Sequence, residues 1–272
     1  MFAREPGLAT RRPAVAGSFY PRERRDLKTA VDALLSQAER LHQPRLAGVI
    51  APHAGYFYSG PVAAKAFAAV AATGGVFRRV LLVGPAHYVP VSGVAAPSST
   101  AFATPFGEVA LDRDAIALLV EAGLVSIDDR AHAPEHSLEV ELPFLQTVLG
   151  QFTLIPLLAG DVEPAQVAAI IDAMLDVPTL LVVSTDLSHY LGYDSAKERD
   201  LATAETIEQL AFDRLGPYDA CGFAALNGAL CVASGRQWRI RRLDLRNSGD
   251  TCGDRSSVVG YGAWTFSSLQ PG

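Results

Sequence analysis

Apolar residues recur along the chain in short runs, and four of these are nearly continuous: "LAGVIAP" (46 to 52), "RRVLLVGP" (78 to 85), "FTLIPLL" (152 to 158) and "TLLVVST" (179 to 185). A strand with one wet face alternates with a period of two, so unbroken runs of this length predict strands covered on both faces. Between the runs the period lengthens to that of helices, over 25–40, 61–72, 112–122, 138–149, 163–175 and 195–211. Helix starts are signalled by Ser59 with Pro61, by Pro134 ahead of an acidic run, and by Glu163 with Pro164. Proline suits a first helical turn because the N–H it lacks has no partner there. Toward the C-terminus, "RQWRIRRLDLRNSG" and "SSVVGYGAWTFS" alternate instead, which predicts two antiparallel strands at the sheet edge joined by a Gly-rich loop. Strands alternating with helices predict an α/β fold around a largely parallel sheet.

Composition narrows the function classes. With 272 residues and 49% hydrophobic content the chain can bury one large core, so 1–272 is taken as a single domain in which 1–10 form a loose N-terminal extension. A formal charge of −6 argues against nucleic acid as a partner, since phosphate-backbone binders need clustered Lys and Arg. No signal-peptide core and no 18-residue uncharged apolar run is present, which excludes a membrane-spanning reading. Cys221, Cys231 and Cys252 are an odd set without CxxC spacing, so neither a disulfide framework nor a zinc ribbon is expected. A reducing, cytoplasmic setting fits them.

Chemistry concentrates where the strands end. "VIAPH" places His53 just past its strand, "LLVGPAH" does the same for His87, and "LLVVSTDLSH" for Asp186 and His189. Ligands of open parallel sheets bind beyond the carboxyl ends of the strands, so these side chains are expected to converge. Histidines on one pocket suggest a metal, because neutral imidazole binds Fe, Zn and Cu, and two histidines with an anionic ligand leave positions open. Glu135, Asp186 and Cys221 are the candidates for that ligand. Cys221 lies at an apparent helix start, which favours a thiolate, whereas Cys231 suits a small buried hydrophobe and Cys252 is ambiguous. Glu135 and His136 open the predicted helix of "PEHSLEVELPF", either orienting a ligand from behind or capping the helix; Leu138, Leu142, Leu145 and Leu149 face the core. His42 and His132 sit in polar stretches and are expected to be solvated, and Tyr56, Phe57 and Tyr58 to wall a pocket or pack in the core.

The motifs "RRPAVAGSFYP", "APHAGYFYSG", "GPAHYVPVSG", "PEHSLEVELPFL", "STDLSHY", "ACG" and "SSVVGYGAW", in this order across 11–264, resemble the Memo family, whose microbial members are called the B protein of the AmmeMemoRadiSam system. The resemblance implies a fold similar to the class III extradiol (LigB-like) dioxygenases: a three-layer α/β/α domain with a mixed central sheet. Those enzymes hold Fe(II) with two histidines and a glutamate and use a further histidine as acid and base. Here the family pattern implies His53, His87 and Cys221 as metal ligands, with Asp186 and His189 lining the same pocket; the residues themselves suggest catalytic roles for that pair and place Glu135, His136 and Tyr56 behind the ligands or on the pocket wall. A thiolate in place of a carboxylate admits copper or zinc as well as iron. After "ACG" this chain has Phe223 and Ala224, where many family members carry more polar or glycine- and proline-containing residues, so the pocket wall is expected to differ. The implied function is a metal-dependent, oxygenase-like redox activity on an unknown small-molecule substrate, with His189 shuttling a proton under the orientation of Asp186 or Glu135. The alternative is a metal-binding or peptide-binding scaffold acting with AMMECR1-like and radical-SAM partners. A hydrolase with Cys221 as nucleophile is the weakest reading, because no GxSxG elbow is present.

Overall fold

The four continuous apolar runs lie side by side in the middle of one mixed sheet. A computed structural model describes residues 10–175, 178–251 and 253–268; the expected extension, apart from Thr10, and Cys252 lie outside the described residues. The first elements are α1 (Arg24–Gln37), β1 (Leu46–Ala51), α2 (Tyr56–Ala71) and β2 (Arg79–Pro85). There follow β3 (Val94–Ala96), the hairpin of β4 (Ala101–Thr104) and β5 (Gly107–Ala110), α3 (Arg113–Glu121), β6 (Ser126–Ile127) and the short α4 (Asp129–His132). A 3-10 turn (Glu139–Glu141) leads into α5 (Leu142–Leu149), then β7 (Thr153–Ala159), α6 (Pro164–Met174), β8 (Thr179–Ser184) and β9 (His189–Leu191). The chain closes with α7 (Tyr193–Glu208), α8 (Phe223–Gly235), β10 (Arg239–Asn247), a second 3-10 turn (Ser248–Asp250) and β11 (Val258–Ser267).

The strand order is β10-β11-β1-β8-β2-β7-β3-β6, with β9 added to β11. Neighbours from β1 through β8 and β2 to β7 are parallel, whereas β10 and β11 run antiparallel to each other and β11 runs antiparallel to β1. Every residue of β8 is buried, and so is all of β2 and β7 beyond the first residue, as strands covered on both faces require. The helices α1, α2 and α5 pack together, with α2 on β1 and β11; α6 and α8 pack on each other, with α8 on β2 and β8. The result is the expected α/β/α layering. Only β10 of the C-terminal pair is an edge: β11 is pinned between β10 and β1.

Two predicted helix starts move. Helix α2 begins at Tyr56 after Gly55, so Ser59 and Pro61 lie inside it. Tyr56 anchors that early start: its N–H donates to Phe19 O at 2.8 Å, its hydroxyl to Val140 O at 2.8 Å, and its ring packs on Phe144. Pro61 forfeits only the bond to the carbonyl of exposed Phe57. No helix starts at Pro134 either: the chain is irregular from 133 to 138, and the N–H groups of His136 and Ser137 donate to the Glu135 carboxylate, both at 2.9 Å. By contrast α3 is capped by Asp112, which accepts from Ala115 N at 3.0 Å, and α6 starts on Pro164 as predicted.

The α6–α8 contact depends on a missing side chain. A Cβ built at Gly228 would lie 2.4 Å from both Cβ and Cγ1 of Val167, with the helices already in contact. Gly228→Ala is therefore expected to lower stability by about 1–3 kcal/mol, whereas Gly235→Ala, in the same helix with open space around it, should cost nothing. Urea unfolding of both variants checks this; equal stabilities would contradict the close packing.

Candidate metal centre

The parallel order of β1, β8 and β2 brings three chain segments to one sheet edge. His53 lies two residues past β1, Asp186 two past β8 and His87 two past β2. The rings of His53 and His87 have centroids 5.2 Å apart. A third ring joins them from the loop before the 3-10 turn: His136 stacks on His87 at 4.7 Å and lies 5.5 Å from His53. One ligand-capable nitrogen from each of the three lies within 4.8 Å of the others, so this group could hold a metal ion. Cys221, just before α8, places Sγ 3.4 Å from His53 Nε2. His136, expected to orient or cap, joins His53 and His87 in that group, whereas Cys221, expected as the third ligand, lies beside His53 but outside it.

Each donor is aimed by a partner behind it. Glu135 accepts from the backbone N–H of His87 and from its Nδ1, at 2.9 Å, which turns Nε2 of His87 outward. Burial alone would raise the Glu135 carboxyl, but these bonds, the electrostatic attraction of His87 and the bond from Ser137 N outweigh it and hold it at about 2. Nδ1 of His53 lies 2.8 Å from Ser184 Oγ. Nδ1 of His136 is buried without a hydrogen-bond partner, 3.3 Å from Glu135 Oε1 but poorly aligned with it. Burial drives the His53 pKa well below the usual histidine range and brings His136 to about 4. Neutral imidazoles keep their lone pairs, and an orphaned buried nitrogen calls for a cation, so the donor set fits a metal.

Cys221 departs from expectation in one respect. Burial, reinforced by the Asp186 carboxylate, pushes its thiol up, and this outweighs the helix end two residues away. A bare thiolate is disfavoured here, and a cation at the site would supply the missing counter-charge. Asp186 Oδ1 accepts from His53 N at 2.8 Å, and burial raises its carboxyl to about 7. His189 is oriented neither by Asp186 nor by Glu135: its Nδ1 lies 2.8 Å from Leu187 O, which makes Nδ1 the donor and Nε2 the free acceptor.

The loop bearing Glu135 and His136 is clasped by the N-terminal segment. Glu139, fully buried, pairs with Arg11, accepts from Ala14 N at 2.6 Å and Val15 N at 3.0 Å, and takes the Tyr20 hydroxyl at 2.6 Å. Arg11 also donates to the carbonyls of Glu135 and His132. "RRPAVAGSFYP" and "PEHSLEVELPFL" are thus two halves of one structure. A family model described as Memo-like protein matches residues 11–265, taking in both halves and every donor above.

The chain belongs to the Memo family. A MEMO1 family protein of Methanopyrus kandleri is 37% identical over 283 residues, covering 94% of this chain and 98% of the relative. One from Aquifex aeolicus is 30% identical over 267 residues, covering 93% and 98%. The crystal structure of an uncharacterized protein from Escherichia coli K12 is similar in fold alone, with a TM-score of 0.53 at 14% identity over 81% of this chain and 99% of that one.

In this Memo-family chain a cavity of about 810 Å³ opens over the donors, with Phe19, Tyr58, Tyr88, Asp186, His189 and Tyr190 among its walls. Tyr56 is absent from that wall and packs in the core instead, while Tyr58 takes the place expected of it. Cys231 is half-buried against the core and His42 is exposed. His132, expected in solvent, is buried: Nε2 lies 3.1 Å from Ala95 O and the ring meets Phe102 edge-on. The polar letters around it are turned away by the short helix α4. Among the described residues no helix is long and apolar enough to cross a membrane.

Two outcomes follow from these burials. Desolvation outweighs the Ala95 bond and, with Arg11 nearby, the attraction of Asp129 and Glu135, bringing His132 from 6.5 to about 4. The unfolded chain therefore takes up a proton that the folded state refuses, so stability present above pH 6.5 is lost as pH falls toward 4, by about 3 kcal/mol through this residue. Acid-range denaturation of His132→Gln should show a flatter slope than the wild type; an unchanged slope would contradict it. Glu139→Gln strands Arg11 and is expected to cost about 3–5 kcal/mol in urea unfolding, and a loss under about 1 kcal/mol would show that the clasp is not a keystone.

Proposed function

We propose that this Memo-family protein is a metal-dependent redox enzyme of oxygenase-like type acting on a small molecule. The observation that carries this is the meeting of three histidines on one open cavity, whose wall also holds Cys221 3.4 Å from His53. His53, His87 and Cys221 would hold the metal, with His136 as the additional donor. Fe(II) is the first choice, and the sulfur admits copper or zinc. When bound, such a metal supplies a Lewis-acid and redox centre.

The chain's own groups would do the rest. His189, with Nε2 free and its charge disfavoured by burial, suits a proton acceptor on the cavity wall. Asp186 holds the backbone at His53 and keeps the first donor in place. Phe19, Tyr58, Tyr88 and Tyr190 offer flat faces to a ligand, and no Lys or Arg is found among the described residues of the wall. A substrate would therefore carry any anionic group to the metal, and Asp186 and Asp254 would favour neutral or cationic groups at the wall. A reducing compartment would keep Cys221 available as a ligand.

Anaerobic purification and reconstitution with iron or copper, read as metal per chain, tests the reading. Stoichiometric metal in the wild type, lost in His53→Ala and Cys221→Ser, is expected; His189→Ala should keep the metal while losing turnover. Substoichiometric metal unaffected by the ligand variants would overturn it. Bound metal with no turnover on any substrate would instead favour a carrier or scaffold working with AMMECR1-like and radical-SAM partners.

A further inference from the structure

Behind His53 stands a group of buried polar atoms whose protons can be counted. Ser184 Oγ has three neighbours: Ser137 O at 2.6 Å, His53 Nδ1 at 2.8 Å and Glu141 Oε1 at 2.9 Å. A hydroxyl has one proton to give and two lone pairs. The carbonyl of Ser137 can only accept, and its contact is the shortest, so the hydroxyl proton belongs to it. The other two neighbours must then donate. His53 carries its proton on Nδ1, and Glu141 is a carboxylic acid rather than a carboxylate. Both Ser184 and Glu141 are fully buried.

A further observation agrees. Glu141 Oε2 has no hydrogen-bond partner, which a buried acid tolerates far better than a buried carboxylate, and burial with the nearby Asp186 charge pushes this carboxyl up. On the other side of the ring, a proton on Nδ1 leaves Nε2 as the acceptor, facing Cys221 Sγ at 3.4 Å. His87 is set differently, by the ionised Glu135.

We propose that Ser184, backed by a protonated Glu141, is the positioning residue that fixes His53 in its Nδ1–H tautomer and so delivers Nε2 to the metal. The delivery rests on the metal reading above; the tautomer does not. Nitrogen NMR of the histidine side chains in metal-free wild-type protein reads it directly, and Nδ1–H at His53 is expected. Glu141→Gln should preserve that signal, because the amide donates to Ser184 as the acid does, whereas Ser184→Ala should give mixed tautomers. With Zn(II) as probe in competition with a chelator, Ser184→Ala is expected to lose about 10–100-fold in affinity, and Glu141→Gln only a few-fold. An Nε2–H signal in the wild type would refute this proposal alone and leave the metal site standing. Zinc affinity unchanged in Ser184→Ala would refute the positioning role. A wild type that shows the expected tautomer yet binds no metal would refute the delivery together with the metal reading.

Discussion

The carboxylate of Glu139 is the interaction on which the rest of the site depends. Removing it from water is costly, and the structure offsets that cost with four donors, all drawn from the segment between Arg11 and Tyr20. The stretch from 133 to 138 belongs to neither sheet nor helix, so backbone ladders do not fix it. Arg11 closes the clasp by reaching the carbonyls of His132 and Glu135. Through that one knot the N-terminal segment sets the position of His136, of Glu135 behind His87, and of the Ser137 carbonyl that takes the proton of Ser184.

The sheet supplies the remaining half. Three adjacent parallel strands end at one edge, and their buried, two-sided packing leaves His53, His87 and Asp186 little freedom to depart from it. The depressed basicity of His53 suits a metal better than a proton, and the partners behind the two histidines are of two kinds. His87 leans on a charged carboxylate and His53 on a neutral hydroxyl chain, so the two imidazoles present different electron density to whatever lies between them. The cavity above is wide and aromatic, which leaves access to that point from solvent.

Much of this was legible in the sequence. Continuous apolar runs identified the central strands because burial on both faces removes the alternation, and the residues just past them identified the site edge because parallel strands share a direction. What escaped was set by contacts between distant residues. Arg11 and Glu139 are ordinary charged letters 128 positions apart, and nothing local marks either as buried. Pro134 with acidic residues after it resembles a helix start, yet Glu135 and Glu139 turn inward to distant partners, His87 and Arg11, and hold this stretch as a loop that brings His136 to the donors. Ser184, the last residue of a strand, carries no sequence signal beyond its own hydroxyl. Pro61 misled for a different reason: it is tolerated inside α2 because the preceding turn is anchored by Tyr56.

The central claim, that the clasp and the strand ends gather nitrogen and sulfur donors around one metal, is tested most directly by X-ray absorption at the metal edge of zinc-loaded protein. The expected spectrum has imidazole nitrogens at about 2.0–2.1 Å and one sulfur at about 2.3 Å, with the sulfur shell lost in Cys221→Ser. A shell of oxygen alone, or a spectrum indifferent to replacement of His87 and Cys221, would place the metal elsewhere and contradict it.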